Sequence, residues 1–232
     1  MQPRLSQKRN AALTLFEVCV AIGITAVLAA MLLPALSAAK RKASRVWCSN
    51  NLKQIGLAFK IWEDDHQNLF PMGISATNGG SMESVQAGKV VSTFQILSNE
   101  LCTPKIPICS GDRRNQGDLA HMTATNFYSL ASSNISYFVG SDITNELNSH
   151  LILSGDSNLK FKGLEVKSGL LEMSNLNDTN WYHLPIDWTE GRHGLASGNL
   201  LLTDGRVEET YYYSLQIYLQ QTGLATNRFA IP

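Results

Sequence analysis

The chain has 232 residues, with 19 Lys and Arg against 19 Asp and Glu, so its formal net charge at pH 7 is zero. This balance excludes the class of nucleic-acid-binding proteins that depend on a strong basic excess. The length is sufficient for an N-terminal apolar segment followed by one globular domain with its own core.

The first element of the chain is an uncharged run from Val18 to Ala39. As a helix, these 22 residues span roughly 33 Å, which is enough to cross the core of a bilayer. A secretory signal has an apolar region of only about 7–15 residues before its cleavage site. Periodicity alone does not separate a signal from an anchor, but the length favours a segment that remains in the mature protein.

Glu17 is a carboxylate at the start of this run. An acid at the centre of a bilayer-spanning helix costs about 2.5–3.5 kcal/mol, and somewhat less near the interface. A residue that is so unfavourable in lipid predicts a functional role. The alternative is that Glu17 lies among the lipid headgroups and has no special role.

The stretch Ala12-Leu13-Thr14-Leu15-Phe16-Glu17 resembles the processing site of type IV prepilins and type II secretion pseudopilins, and the basic residues expected before it are Arg4, Lys8 and Arg9. In that family a peptidase on the cytoplasmic side removes a basic leader after a small residue, and the new N-terminus is methylated. The resemblance implies cleavage after Ala12, methylation of Leu13, and Glu17 as the fifth mature residue. Ala12 and Leu13 replace the usual Gly and Phe.

The same count makes Pro34 the twenty-second mature residue, where pilins carry a helix-kinking proline. The resemblance implies that Glu17 and Pro34 serve assembly, with a prepilin peptidase/methyltransferase, copies of the chain, other pilins and the inner membrane as partners. It also implies a cytoplasmic N-terminus. Charge does not decide the orientation, because basic residues also follow the run, namely Lys40, Arg41, Lys42 and Arg45.

An amphipathic helix is predicted to continue the apolar run, on the basis of a stripe at spacings of three, four and three formed by Leu52, Ile55, Phe59 and Trp62. We expect the helix to end near Glu63 and to be kinked at Pro34, with a total length of about 50 residues. One domain cannot bury such a helix, so its first half needs lipid or other copies of the chain.

The remainder is predicted to be β structure with loops. Residues 72–92 predict an excursion loop, residues 94–101 one or two helical turns, and residues 212–221 a short helix that ends at Gly223. Asp204-Gly205 predicts a two-residue hairpin turn, because both residues favour a positive φ. The predicted strands are residues 106–109, 135–139, 151–154, 164–167, 199–203 and 207–210.

Residues 48–56 and 104–112 resemble a subgroup of long pseudopilin-like proteins, in which a C-terminal His is followed after about nine residues by Asp-Gly. In this chain His193 is followed after ten residues by Asp204-Gly205, one residue more than usual. The resemblance implies a ligand loop containing His193 and Asp204. A hairpin turn explains Asp204 without a ligand.

Four cysteines are present. Cys19 lies in the apolar run and is interpreted as a small apolar residue. In the orientation that the resemblance implies, Cys48, Cys102 and Cys109 lie on the oxidising side and allow one disulfide. Cys48 and Cys109 both fall in segments that resemble the subgroup, so this pair is favoured. Cys102 with Cys109 is the local alternative.

Sequence patterns for catalysis and for metal binding are missing. The chain has no Gly-x-Ser-x-Gly, no phosphate-binding loop and no zinc-type His and Cys spacing. We therefore expect no enzymatic activity, no metal and no cofactor. Calcium is the less favoured alternative, because Asp156 and Asp178 have Asn residues nearby but lack the Asp-x-Asp-x-Asp spacing.

The resemblance and the patterns together predict an α+β, type IV pilin-like fold in which a long N-terminal helix packs on an antiparallel sheet. Its organisation is a leader at residues 1–12, an apolar helix at 13–39, an amphipathic continuation at 40–66 and a globular β-rich domain at 67–232. The expected function is that of a structural filament subunit. The alternative is a periplasmic binding or enzymatic domain that uses the helix only as a membrane tether.

Overall fold

A computed structural model of the chain describes residues 14–112, 114, 124–145, 148–174, 186–190, 192 and 196–232, without the side chains of residues 212 and 213. The chain divides into two compact units between Lys42 and Ala43. One helix crosses that boundary. The second unit contains the sheets and is an α+β structure.

Helix α1 runs from Leu15 to Asp65, which is 51 residues. Its first half is long and apolar enough to cross a membrane, by length and composition. Pro34 lies inside the helix and removes one backbone donor. The hydroxyl of Ser37 donates to the carbonyl oxygen of Pro34 at 2.8 Å. The predicted single long helix is therefore present, and it ends two residues beyond Glu63.

The second half of α1 buries one face in the globular unit. The stripe predicted from the sequence forms this face, and all four of its side chains are buried: Leu52, Ile55, Phe59 and Trp62. Gly56 lies between them, and a Cβ placed there would meet Cδ1 of Leu201 at 2.8 Å. The missing side chain therefore lets the helix approach the sheet closely.

Short helices follow α1, in a region where the sequence predicted a loop at residues 72–92 and one or two helical turns at residues 94–101, and the helical turns are confirmed. The short helices are α2 (Met82–Gln86), α3 (Val91–Ile96) and α4 (Ser98–Leu101), with 3-10 turns at Pro71–Gly73 and Ala76–Asn78. Val85 and Val90 anchor this region in the core. The Gly and Ser content of this region indicated a loop, although it contains these two core residues. The predicted excursion loop is therefore wrong for the part from Met82 onward.

Among the described residues, nine strands form two antiparallel sheets. The larger sheet has the order β5-β9-β1-β2-β7-β8, and the smaller one β4-β3-β6. The strands are β1 Tyr137–Gly140, β2 Ile152–Asp156, β3 Leu159–Phe161, β4 Leu164–Glu165, β5 Gly169–Ser174, β6 Ile186–Trp188, β7 Ser197–Leu202, β8 Val207–Tyr211 and β9 Thr226–Ile231. Helix α5 (Tyr212–Gln221) lies between β8 and β9 in the chain.

The larger sheet has a hydrophobic core on each of its faces. Strand β7 shows this directly, because Leu201 belongs to the cluster that contains the buried face of α1, whereas Leu200 and Leu202 belong to a second cluster. The second cluster contains Trp188 of β6 and Leu215 of α5. Central strands that are buried on both faces lack the alternation of apolar and polar residues that marks a half-exposed strand.

One strand prediction is wrong, and the sequence did not predict some of the observed strands. Residues 106–109 are a turn followed by irregular chain, and Pro107 cannot donate to a sheet ladder. Conversely, β5 and β9 were not predicted, although they pair with each other from Gly169 and Ile231 to Ser174 and Thr226. Strand β9 is hard to recognise from the sequence because it contains Asn227 and Arg228, and polar residues such as these do not fit an apolar strand pattern.

The hairpin between β7 and β8 has a three-residue loop rather than the predicted two-residue turn. The Leu202 N–H donates to the Arg206 carbonyl at 2.9 Å, and the Gly205 N–H donates to the Leu202 carbonyl at 3.0 Å. Gly205 has a φ of 84°, whereas Asp204 is not among the described residues with positive φ. A turn followed by one left-handed glycine is the usual three-residue solution.

Candidate functional site

The N-terminus of α1 is fixed by reciprocal hydrogen bonds between Thr14 and Glu17. The Thr14 N–H and hydroxyl donate to Glu17 Oε2 at 2.8 and 2.9 Å, and the Glu17 N–H donates to Thr14 Oγ1 at 3.3 Å. This is a capping box, in which two side chains satisfy backbone donors that the first helical turn leaves open. The sequence signal for this box is Thr-x-x-Glu directly before an apolar run, which assigns Glu17 a local role that the resemblance does not imply.

The processing residues predicted beside this cap, Ala12 and Leu13, lie outside the described residues. The two predicted assembly residues do lie within them. Glu17 is exposed in the first turn of α1, and Pro34 is exposed five turns further along the helix. Glu17 and Pro34 are therefore not neighbours within one chain. A role of both residues in assembly requires that each contacts lipid or another chain.

The apolar half of α1 is exposed along its whole length. Phe16, Met31 and Leu36 are each at least 67% exposed. Soluble monomers rarely expose a continuous apolar surface of this extent, and a surface of this kind marks a membrane or protein contact. This half of the helix therefore requires an apolar environment that the described chain does not supply.

A disulfide joins Cys48 of α1 to Cys109, the pair that the resemblance favoured. Cys109 lies in residues 103–112, which we term the strap because they lie against α1. The Asn51 side-chain amide donates to the Ile108 carbonyl at 2.7 Å, and the hydroxyls of Ser44 and Ser110 are 2.8 Å apart. Cys19 and Cys102 are free and exposed.

Removal of this disulfide is expected to lower the free energy of unfolding of the globular unit by about 2–4 kcal/mol. The bond closes a loop with a sequence separation of 61, so its loss increases the conformational freedom of the unfolded chain. Urea unfolding of Cys109→Ser measures the change. Cys102→Ser is the matched control, because Cys102 is free and exposed. Equal stability of the two variants would contradict a stabilising bond.

A buried network of charges lies at the end of the strap. Asp112 Oδ2 accepts hydrogen bonds from Arg192 Nη2 at 2.8 Å, from Arg114 Nη2 at 2.7 Å and from the Ser136 hydroxyl at 2.7 Å. The side chains of Asp112 and Arg192 are 1% and 4% exposed. Arg192 Nη1 also donates to the Ser136 carbonyl at 2.6 Å.

The network continues to a second buried carboxylate, Asp156. Its Oδ1 lies 3.6 Å from Arg192 Nη1, and its Oδ2 accepts hydrogen bonds from the backbone and side chain of Asn199 at 2.7 and 2.8 Å. Asp156 is thus part of strand β2 rather than of an open oxygen-rich loop. Asp178, the other residue considered for calcium, lies outside the described residues.

Charge neutralisation explains how Asp112 remains ionised. Burial by itself raises its pKa, but Arg192, Arg114 and the Ser136 hydroxyl outweigh burial and hold the pKa below its usual value. Tyr137 next to this network shows the opposite effect, because burial and the nearby Asp156 raise its pKa. Its hydroxyl therefore stays protonated and donates to the Cys48 carbonyl at 3.3 Å. The network is a structural joint between α1, the strap and the larger sheet.

Asp204, predicted as half of a ligand loop, has bonds within its own hairpin. Its Oδ1 accepts from the Arg206 N–H at 2.9 Å, and Arg206 Nε donates to its Oδ2 at 2.5 Å. Burial raises the pKa of Asp204, but these bonds and the charges of Arg206 and Lys60 lower it below its usual value overall. His193 lies outside the described residues. Nothing in the described part of the chain supports a His and Asp site.

An open cleft of about 480 Å³ with a mixed polar and apolar lining lies at the C-terminal end of α1, lined by residues that include Asp65, His66, Leu69 and Ile74. The His66 ring stacks on Trp62 at 3.7 Å, and its Nδ1 lies 2.7 Å from the Trp62 carbonyl. A carbonyl only accepts, so Nδ1 is the donor. Within the described ranges, no group of three or more His, Cys, Asp or Glu side chains is placed to hold a metal ion.

A family model described as "Protein of unknown function (DUF1559)" matches residues 37–98. These residues include the end of the apolar run, the second half of α1 and the helices up to α3. No curated protein and no solved structure matches the chain. The matched segment and the apolar N-terminal helix fit a pilin-like, membrane-anchored protein.

Proposed function

We propose that the chain is a structural subunit of a type IV pilus or of a type II secretion pseudopilus. The observation that carries this proposal is the exposed apolar half of α1 with a capped acid at its first turn. A helix that serves only as a tether needs apolar length and a cap, and an uncharged Gln would cap it as well as Glu17 does, so the negative charge at this place favours a counter-charge in another chain. Copies that pack side by side cover the apolar surface and give Glu17 a partner.

Before processing, the subunit is proposed to cross the inner membrane once, with its N-terminus in the cytoplasm. A prepilin peptidase/methyltransferase cleaves after Ala12 and methylates Leu13. The mature chain then joins copies of itself and other pilins through α1, with its globular unit in the periplasm or on the cell surface. In this proposal the protein is not an enzyme, and it needs neither a cofactor nor nucleic acid.

Processing provides the first test of this proposal. We expect Ala12→Gly to be cleaved at least as well as the native chain, and Ala12→Glu to retain its leader, because a bulky charge does not fit a site for small residues. Co-expression with a prepilin peptidase, followed by gel mobility and N-terminal sequencing, measures the outcome. The mature chain is expected to begin at Leu13.

A different start would distinguish the alternatives. A mature N-terminus within residues 35–45 would show that an ordinary signal peptidase acts, and the filament proposal would fail. An uncleaved native chain in the presence of the peptidase would favour the membrane-tethered periplasmic domain instead.

A further inference from the structure

Three consecutive cations, Lys40, Arg41 and Lys42, follow the apolar run directly, and all three are exposed. We term them the basic collar. The uncharged run before them spans roughly 33 Å as a helix, slightly more than the hydrocarbon thickness of a bilayer, which is about 30 Å. When that run crosses a membrane, the basic collar lies at the level of the lipid headgroups.

The basic collar has no acidic neighbour along its own helix. Between Glu17 and Glu63, α1 contains neither Asp nor Glu, so no carboxylate lies three or four residues away to pair with these cations. Within the part of the chain that the structure describes, they form no ion pair. Arg45, the next cation, differs, because its Nη1 lies 2.5 Å from Oε1 of Glu209.

Helix geometry spreads the basic collar around α1. Consecutive residues are about 100° apart, so three of them cover about 200° of the circumference. A stripe of cations on one side would suit a protein partner that docks on one face of the helix. Cations that point in several directions suit a ligand that surrounds the helix, as lipids do. The flanking residues Ala39 and Ala43 are small and leave room for a headgroup.

We propose that the basic collar is a binding site for the phosphate of anionic phospholipid headgroups. Each Lys or Arg close to an anionic membrane surface contributes about 1 kcal/mol, which is about a fivefold change in affinity. The site requires only that the run crosses a bilayer, in either orientation. It goes beyond the filament proposal and does not depend on it, so a failure of cleavage or assembly leaves it intact.

Native mass spectrometry of the full chain in detergent tests this site, with phosphatidylglycerol and phosphatidylcholine as probes. The native chain is expected to bind phosphatidylglycerol at least about tenfold more tightly than phosphatidylcholine. The triple variant Lys40→Gln, Arg41→Gln and Lys42→Gln is expected to weaken that preference at least about fivefold. Millimolar inorganic phosphate is not expected to displace the lipid, because it lacks the acyl chains that lie along the apolar helix.

The matched control removes the same charge elsewhere, through Lys53→Gln, Lys89→Gln and Lys105→Gln, all at exposed positions. It is expected to keep the native preference. The leader cations Arg4, Lys8 and Arg9 contribute equally to the lipid preference of all three proteins, so a difference between the proteins comes from the substituted residues. Equal affinity of the native chain for both lipids, an unchanged preference in the triple variant, equal loss in the control, or displacement by phosphate would each overturn the proposal.

Discussion

The Asp112→Ala variant is expected to lose about 3–5 kcal/mol of unfolding free energy, because it leaves the buried Arg192 guanidinium without its main counter-charge. Arg192 is 4% exposed at its side chain, so water cannot replace the carboxylate. Urea unfolding in detergent, monitored by tryptophan fluorescence to which the buried Trp62 and Trp188 contribute, measures the loss. The globular unit is the part of the chain that is expected to respond.

An exposed ion pair provides the control for this variant. Asp204→Ala removes the partner of Arg206, whose side chain is 52% exposed, and exposed pairs contribute about 0–1 kcal/mol. We therefore expect Asp204→Ala to retain nearly all of the native stability. A loss below about 1 kcal/mol for Asp112→Ala would show that the buried network contributes no more than a surface pair.

The pH dependence follows from the direction of the Asp112 shift. Its pKa in the folded state is lower than its ordinary value, so the unfolded chain takes up a proton first as the pH falls. The stabilisation is complete above the unfolded pKa, which is about 3.9, and it is lost as the pH falls from there through the folded pKa. When the pH falls below about 4, the free energy of unfolding should therefore decrease less in Asp112→Ala than in the native chain.

Replacement of Glu17 by Val is expected to lower filament yield at least about tenfold when the variant is the only copy in the cell. In an apolar filament core, the methylated amine of Leu13 from a neighbouring chain is the natural counter-charge, and the pair disfavours any axial register that separates the two charges. The variant should still insert, fold and be cleaved. The sheared-filament fraction against the membrane fraction measures the effect.

The capping box requires variants that separate helix capping from charge. Glu17→Gln retains a side chain that can accept the Thr14 bonds but removes the charge, so we expect it to resemble Glu17→Val. Thr14→Val removes the hydroxyl that donates to Glu17 Oε2 but keeps the charge of Glu17. The loss of this cap lowers helix stability by about 1 kcal/mol. Thr14→Val is expected to form filaments. A native filament yield from Glu17→Gln would show that Glu17 acts only as a helix cap and that its charge is not needed for assembly.

Local patterns determined the long helix. The spacing of Leu52, Ile55, Phe59 and Trp62 is a property of neighbouring turns, and the structure buries all four residues. The length of the uncharged run determined that α1 could cross a membrane, and the helix at Tyr212–Gln221 was also predicted with its observed bounds. The Thr14 and Glu17 box is equally local, so the sequence contains it in full.

The strands and the buried charges were decided by partners distant in the chain. Strand β5 forms because it pairs with β9, for example at Leu170 and Ala230. Residues 106–109 are not a strand, because among the described residues no strand pairs with them. Asp112 and Arg192 are 80 residues apart, and neither is unusual in its local sequence. A lone buried charge is unfavourable, so only the tertiary fold that brings the two together makes either of them a core residue.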